Sequence, residues 1–573
     1  MDTPRDPRLR WLELAGVVLL LAAAVVPRAR DLYAPFDRAI DGFQGSCFAL
    51  FAINYERVGV GTYGGYPVFN VDLPSDPDTL PYVYANHPPL VPLLGWASLH
   101  LTAPEDWNQA WKRDEAPEGI EGALRLPFFL PHLVGLWALW WALCQGDGLQ
   151  RAMLGLAVAA VLPIGILCAG LVNYENACVP PLLVALGFHV RWLRSNRRAD
   201  LWWSGAFAFL ASCVTFTPVF FAPAVVLHTL YHDLRLRRAS VLRRPLLEAL
   251  VFGAATLLPL AAHGFWVRLH VPAAASSVWT RAASLLGPLF DGSQPFSEWA
   301  RRQVLRLTYF CTPWLFAIAV AGLVVALARA LRPPADATDA RDEGAARVPT
   351  VSVVLPLALG AGLSQLAFYT HTFDGDAGHN GQTNFLLNLA PAVAALAAVA
   401  FDAVARPLWK LRGGFAPLVL LVATCGLPAL GRAGAIRREW REPGPRDVSA
   451  TELEGAVEPG RLLPLPKTAG AQIHDVLPAR TVGLFPMGSI LGPAVSYYAW
   501  RTLLGVNREN WGMRLATIDD VLGLPEVERT LLFPRDPLPG ATGAVQTFRP
   551  GLLERFGEPL HANEHWEVWP PEP

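Results

Sequence analysis

The reading turns on Asp41-Gly42-Phe43-Gln44-Gly45 and, further along, Asn86-His87-Pro88-Pro89-Leu90, which share one long polar segment between the apolar runs 11–27 and 123–145. Each run is long enough to enter or cross the roughly 30 Å of hydrocarbon in a bilayer. Residues 28–122 therefore form a loop on one membrane face. Loops longer than about 15 residues generally carry a function or lack order, and this one is not composed like a disordered chain. From Gly42 to Val58, Phe43, Cys47, Leu50 and Phe51 recur at helical spacing, which predicts an amphipathic helix lying along the membrane surface. A Gly/Pro/Asp-rich stretch, 59–81, reads as turns. Residues 89–103 suit a short helix that dips into the interface.

Outward from this loop, further apolar runs appear at 153–172, 176–193, 246–268, 310–331, 351–370, 385–404 and 414–431, with a tight hairpin of two shorter ones at 201–214 and 216–231. With 573 residues, 53% hydrophobic and 17% charged, the chain is a polytopic α-helical membrane protein of about eleven spans. A net charge of −1, with Arg confined to short clusters between apolar runs, argues against a nucleic-acid partner. The clusters Arg5/Arg8/Arg10, Arg191 to Arg198, Arg235 to Arg244 and Arg406 to Arg412 share one side if eleven spans are counted, and that side is the cytoplasm. The N-terminus is then cytoplasmic. The loops 28–122, 269–309 and 371–384 and the tail from about 432 face the opposite compartment. Pro27-Arg28-Ala29-Arg30 offers no small-residue cleavage site, so the first run reads as a retained helix.

Seven scattered Cys without paired spacing imply neither a disulfide framework nor a zinc knuckle. No Asn-x-Ser/Thr sequon occurs, which points to a bacterial inner membrane, a plasma membrane, over an endoplasmic reticulum. The segment 332–350 reads as a solvated cytoplasmic linker. The tail alternates short apolar runs (482–485, 531–533, 566–569) with expected helices over 494–504 and 517–528, the pattern of a small α/β domain.

A first span, an acidic outer loop, a helix ending Asn54-Tyr55-Glu56-Arg57-Val58-Gly59, the His87-Pro88-Pro89-Leu90 turn and Ala123-Leu124-Arg125-Leu126-Pro127 follow one another in an order that resembles the GT-C superfamily. These are polyprenyl-phosphate-sugar-dependent membrane glycosyltransferases, and the likeness is to their protein mannosyltransferase and aminoarabinose transferase branch. It covers residues 11–431 in layout, with its motifs inside 33–127. The resemblance implies a GT-C-like transmembrane domain, 1–431, and an extracytoplasmic α/β domain, 432–573. It also implies an enzyme that moves a sugar from a polyprenyl-phosphate donor to a lipid, glycan or protein acceptor on the extracytoplasmic face.

In that family an Asp, often followed by Glu, stands on the first outer loop. Here it matches Asp41, with Gly42 in the second acid's place, so Asp37 is the candidate to complete the pair. A carboxylate about 3 Å from an acceptor hydroxyl can take its proton during attack on an anomeric carbon; alternatively, the two Asp only cap the helix. The family's basic residue before Pro-Pro-Leu corresponds to His87, a candidate cation for the leaving phosphate, or else a donor to a loop carbonyl. Arg125 enters the second long run, where a phosphate partner or snorkelling would relieve its charge. Tyr33, at the start of the motif region, is a further candidate for substrate contact.

Glu175, in Asn173-Tyr174-Glu175-Asn176, is a candidate second acid, although a solvated turn residue is the plainer reading. Arg301, Arg302 and Arg306 enter the run at 310–331 and could meet a phosphate or, as is commoner, lipid headgroups. Asp374 and His379, with His371 and Asp376, are candidate ligands of a divalent ion, with spacing that matches no fixed metal motif. Two patterns are set aside: His228 and His232 share a helix face at the cytoplasmic end, and His561 and His565 fit a solvated turn. Tyr497 to Arg501 resembles an aromatic-Arg segment that follows the last span in the family and could cover the site, although such aromatics are more often core. A transporter or flippase would instead predict broken helices near mid-membrane and repeated halves. An O-antigen ligase or polymerase would place its large loop late in the chain.

Overall fold

The computed structural model describes residues 7–36, 39–68, 83–113, 117–236, 241–272, 295–331, 352–367, 383–405 and 416–441, together with strands and a few single residues of the tail. Helices α1 (Pro7–Ala29), α2 (Ala39–Val58), α3 (Leu90–Thr102), α4 (Glu121–Gly146), α5 (Leu149–Val161), α6 (Pro163–Leu167) and α7 (Tyr174–Ser195) build the first half. Helices α8 (Arg198–Ser212), α9 (Phe221–Arg235) and α10 (Arg243–His270) follow. Then come α11 (Phe296–Cys311), α12 (Pro313–Leu331), α13 (Val354–Ala367) and α14 (Ala390–Ala405). The last helix, α15 (Ala416–Leu421), continues through a π-helical turn, Val422–Gly426, into α16 (Leu427–Arg441). Among the described residues, five helical stretches are long and apolar enough to cross a membrane: Glu121–Gly146, Arg243–His270, Pro313–Leu331, Leu386–Ala405 and Pro417–Arg438.

Four expectations need correction. The run 153–172 is not one continuous helix. It breaks at Leu162-Pro163 because proline lacks the N–H that would continue the helix. The last carbonyls of α5 are bonded instead by Arg28, whose guanidinium donates to Ala160 O at 2.6 Å and Ala159 O at 2.8 Å. The run at 310–331 is also divided. Arg301, Arg302 and Arg306 ride on the separate helix α11, which ends where Thr312 turns to φ 68°, and α12 starts at Pro313 with the Thr312 hydroxyl accepting from Leu315 N.

The helix expected along the membrane surface is α2, but it is not amphipathic in place. Every residue from Cys47 to Tyr55 is buried, because α3, α4 and the 83–87 segment pack around it. In the tail, 502–505 is a strand, not the end of a helix over 494–504; the expected helix 517–528 lies outside the described residues.

The tail strands β1 (Val482–Phe485), β2 (Thr502–Gly505), β3 (Thr530–Pro534), β4 (His561–Ala562) and β5 (Trp566–Trp569) form one sheet in the order β2-β1-β3-β5-β4. β1 lies parallel to β2 and β3, while β5 runs antiparallel to β3 and β4. Parallel neighbours need crossover connections, so β1 is the centre from which the chain winds to either side.

Helices α12 and α14 pack closely. A Cβ placed on Gly322 would stand 1.9 Å from the Leu396 carbonyl oxygen, so glycine permits the approach, as small residues do between membrane helices. The last helix runs past residue 431. There Arg437 pairs with Asp31 and donates to Pro27 O at 3.0 Å, which sets the C-terminal ends of α1 and α16 side by side.

Candidate functional site

The first loop is shaped by a buried guanidinium. Arg125, 2% exposed in the second turn of α4, donates to the carbonyls of Asp31, Leu32, Ala34 and Pro35, and lies 5.1 Å from the centre of the Phe36 ring. Neither snorkelling nor exposure describes it: the charge is turned inward and spent on backbone dipoles. Phe36 in turn covers Gly45, where an added Cβ would meet its ring at 2.2 Å. Asp41 stands one turn before Gly45, in the first turn of α2. Asp37 and the Asp41 side chain lie outside the described residues, as do Asp374 and His379. Tyr33, exposed at the surface, lies over Gly122 at the start of α4.

His87 sits further along α2. The pair Pro88-Pro89 keeps the preceding backbone extended, and the segment leading to His87 is pinned: Tyr84 N donates to Pro67 O at 2.8 Å, and Asn54 Nδ2 from α2 donates to Val68 O at 2.8 Å. The His87 ring then stacks on Tyr174 with centroids 4.1 Å apart and lies nearly parallel to Phe216 at 5.7 Å. Two aromatic faces thus flank the ring. Tyr84 stacks on Phe51, and Phe48 bridges Tyr174 and Phe128. Gly45, Phe48 and Phe51 follow one another at single-turn steps. The level of Arg125 and the level of His87 are thus about 9 Å apart along α2.

Glu175 is not a solvated turn residue. It is 1% exposed in the first turn of α7, where the helix dipole favours a carboxylate. Asn173 caps this helix, accepting from Asn176 N at 2.9 Å. Asn176 Nδ2 donates to Cys168 O at 2.7 Å and Leu171 O at 2.8 Å, holding the 168–171 turn, and Gly170 in that turn abuts Arg125. Asn176 also meets His132, which contacts Arg28. One polar frame therefore ties α1, α4, α5, α6 and α7 together behind Glu175.

Around His87, the Thr215 and Thr217 hydroxyls on either side of Phe216 and the Asn173 amide nitrogen are buried without a hydrogen-bond partner among the described residues.

Arg306 is buried in α11, whereas Arg301 and Arg302 are both engaged by Glu298 at 2.6–2.8 Å. No group of three His, Cys, Asp or Glu among the described residues is arranged to hold a metal ion.

The chain aligns over 96% of its length with 97% of ArnT from Cupriavidus metallidurans bound to undecaprenyl phosphate (TM-score 0.50, 13% identity). It also aligns over 92% of its length with 70% of the archaeal oligosaccharyltransferase AglB from Archaeoglobus fulgidus, solved with an inhibitory peptide and a dolichol-phosphate (TM-score 0.52, 13% identity). The chain shares its fold with these two structures. No family model matches the sequence, and no curated protein matches it by sequence.

Within this fold, Asp41's turn, Arg125 and His87 are met in order along α2, and Glu175 stands in the first turn of α7. Sequence reading missed Tyr84, Tyr174, Phe216 and the Arg28–His132–Asn176 frame. Asn173 before an apolar run was readable as a helix cap. Nothing in the sequence connects Phe216 to His87.

Proposed function

We propose that the chain is an integral membrane glycosyltransferase that takes a sugar from a polyprenyl-phosphate-linked donor and passes it to a lipid, glycan or protein acceptor on the extracytoplasmic face. The observation that carries the reading is the His87 turn, caged by Tyr174 and Phe216 beside buried Glu175, on the helix whose first turn holds Asp41. The shared fold supports it, as does the lipid phosphate named for each of the two solved structures.

In this mechanism Asp41, with Asp37 or Glu175 as a second acid, removes the acceptor proton while the acceptor oxygen attacks the anomeric carbon. The bond from that carbon to the phosphate oxygen breaks in line, with inversion. Polyprenyl phosphate departs with its charge facing the imidazolium of His87. Arg306 and Tyr33 contribute to substrate binding, and Asp374 and His379 are the residues that would hold a divalent ion. Eleven crossings place the N-terminus in the cytoplasm and the tail outside, as an α/β domain built on the β1–β5 sheet.

Asp41→Asn tests the chemistry: sugar transfer from an undecaprenyl-phosphate sugar is lost while the protein still inserts and binds undecaprenyl phosphate. Full activity in this variant removes Asp41 from the reaction. His87→Ala weakens donor use more than acceptor use, and equal effects on both would reject the phosphate role. A reporter fused after Arg441 scores extracytoplasmic; a cytoplasmic signal overturns the span count.

One observation favours a transporter instead. The α5–α6 break, with Arg28 and His132 beside it, is the discontinuous helix that such a protein uses at its binding site. Arg28 already serves the carbonyls that the break exposes, so the discontinuity has a structural cause without a transported ion. Substrate accumulation in proteoliposomes without transfer of a sugar would decide for the transporter.

A further inference from the structure

At the end of α7 remote from Tyr174 lies a second set of buried ionisable groups that the transfer chemistry does not use. His189 Nδ1 is 2.7 Å from Glu248 Oε1, and His189 Nε2 is 2.9 Å from His228 Nδ1. Glu248 and His189 are fully buried, while His228 is 7% exposed and stands nearest the surface. Thr229 Oγ1 is 3.2 Å from Glu248 Oε2 and 3.1 Å from Val225 O, so its hydroxyl proton can turn between them.

The other charged groups packed here are Arg244 and Asp233, paired with each other at 2.9 Å, and His232, 3.5 Å from Asp233. On α7 and α8, Arg191 and Asp200 pair at 3.2 Å. Arg244 and His232 share Asp233 and Arg191 has Asp200, whereas what faces Glu248 is the His189 imidazole.

From this chain we infer a proton-binding relay. An ionised carboxylate can only accept, so His189 Nδ1 carries a hydrogen, its Nε2 is bare, and His228 Nδ1–H donates to it. A proton arriving at His228 Nε2 moves the His228 Nδ1 hydrogen onto His189 Nε2, and the His189 Nδ1 hydrogen onto Glu248. One proton enters from water, every hydrogen bond in the chain reverses direction, and a buried charge is neutralised.

The relay joins three helices whose other ends are at the candidate site. α7 begins at Tyr174, about 22 Å from His189; α10 carries Glu248 and, a similar distance on, His263, whose ring is 5.4 Å from Phe216; α9 follows directly on the Phe216 turn. Proton occupancy at one end of this three-helix unit thereby adjusts the cage around His87 at the other.

The test uses the full chain in lipid nanodiscs and does not depend on any transfer activity. Infrared difference spectra recorded between about pH 9 and about pH 5 gain a protonated-carboxyl band on acidification. The band shifts when glutamate alone is carbon-13 labelled and is missing in Glu248→Gln. After a pH jump it rises more slowly in His228→Asn, which keeps a hydrogen-bonding side chain but cannot pass a proton.

Glu248→Gln, which imitates the protonated form, changes hydrogen-exchange protection in 83–89 and 214–217 by about fivefold or more at constant pH. Absence of a glutamate band, or a band that rises equally fast in His228→Asn, overturns the relay. Unchanged protection in both segments overturns the coupling. If Glu248→Gln does not fold, the labelled wild-type spectrum and the His228→Asn kinetics still decide the relay.

Discussion

Replacing Arg125 by Lys separates two roles that sequence alone could not tell apart. In the structure the guanidinium reaches four carbonyls spread over Asp31 to Pro35 and lies against Phe36. An ammonium on a shorter stem cannot span them or lie flat on the ring. A hydrogen bond from a charged donor contributes about 1.5–3 kcal/mol, and the longer contacts at 3.2–3.3 Å are the weaker ones. A net loss of about 2–4 kcal/mol in the stability of the 31–36 turn follows, which is about a 30- to 1,000-fold increase in local opening.

The reporters are two amides held inside that turn, Leu32 N to Ala29 O at 3.2 Å and Ala34 N to Asp31 O at 3.1 Å. Hydrogen exchange of the purified protein reads them directly. Because Phe36 rests on Gly45 one turn from Asp41, sugar transfer falls with the loop, while the dissociation constant for undecaprenyl phosphate stays within about threefold, under one kcal/mol. A tenfold weaker lipid phosphate complex with unchanged exchange in 31–36 would refute this reasoning and make Arg125 a phosphate ligand.

Gly322→Ala sets a methyl against the Leu396 carbonyl, and overpacking of this kind costs about 1–3 kcal/mol; a lower thermal midpoint in detergent is expected, and an unchanged one would mean that α12 and α14 separate freely. Asn176→Ala leaves the Leu171 carbonyl unserved and takes from the Cys168 carbonyl one of its two donors, the other being Leu171 N, about 1–3 kcal/mol for a buried polar group without its partner, so protease cutting within 168–173 should increase. The Glu298 carboxyl is held down to about 2 by hydrogen bonds from Arg301 and Arg302. Its folded-state value is below the ordinary 4.5, so the stabilisation of α11 is complete above 4.5 and is lost as pH falls toward 2. Hydrogen exchange in 296–311 should rise across that window, and Arg301→Gln should move the rise to higher pH.

Apolar runs gave the helices because lipid demands long apolar stretches whatever their partners are. Where those stretches break was only partly readable. Pro163 announced itself as a residue that cannot continue a helix, but the cap that makes the break affordable is Arg28, more than a hundred positions away. α2 misled for a related reason: its spacing is that of a one-faced helix, yet α3, α4 and the 83–87 segment cover the remaining faces, and no local pattern records such neighbours. Glu175 was read as solvated because its local sequence is that of a turn, although it starts a buried helix. The motifs around His87 and Arg125 could be found in the chain, whereas Tyr174 and Phe216 became visible only through folding.

The clasp of Arg437 on Asp31 and Pro27 links positions separated by 410 residues. During synthesis the ribosome has emitted most of the polypeptide before that clasp can close, so the carbonyl turn leading to Asp41 waits for its final tether until the last helix is inserted. A nascent product truncated ahead of α16 would expose an unlatched first loop.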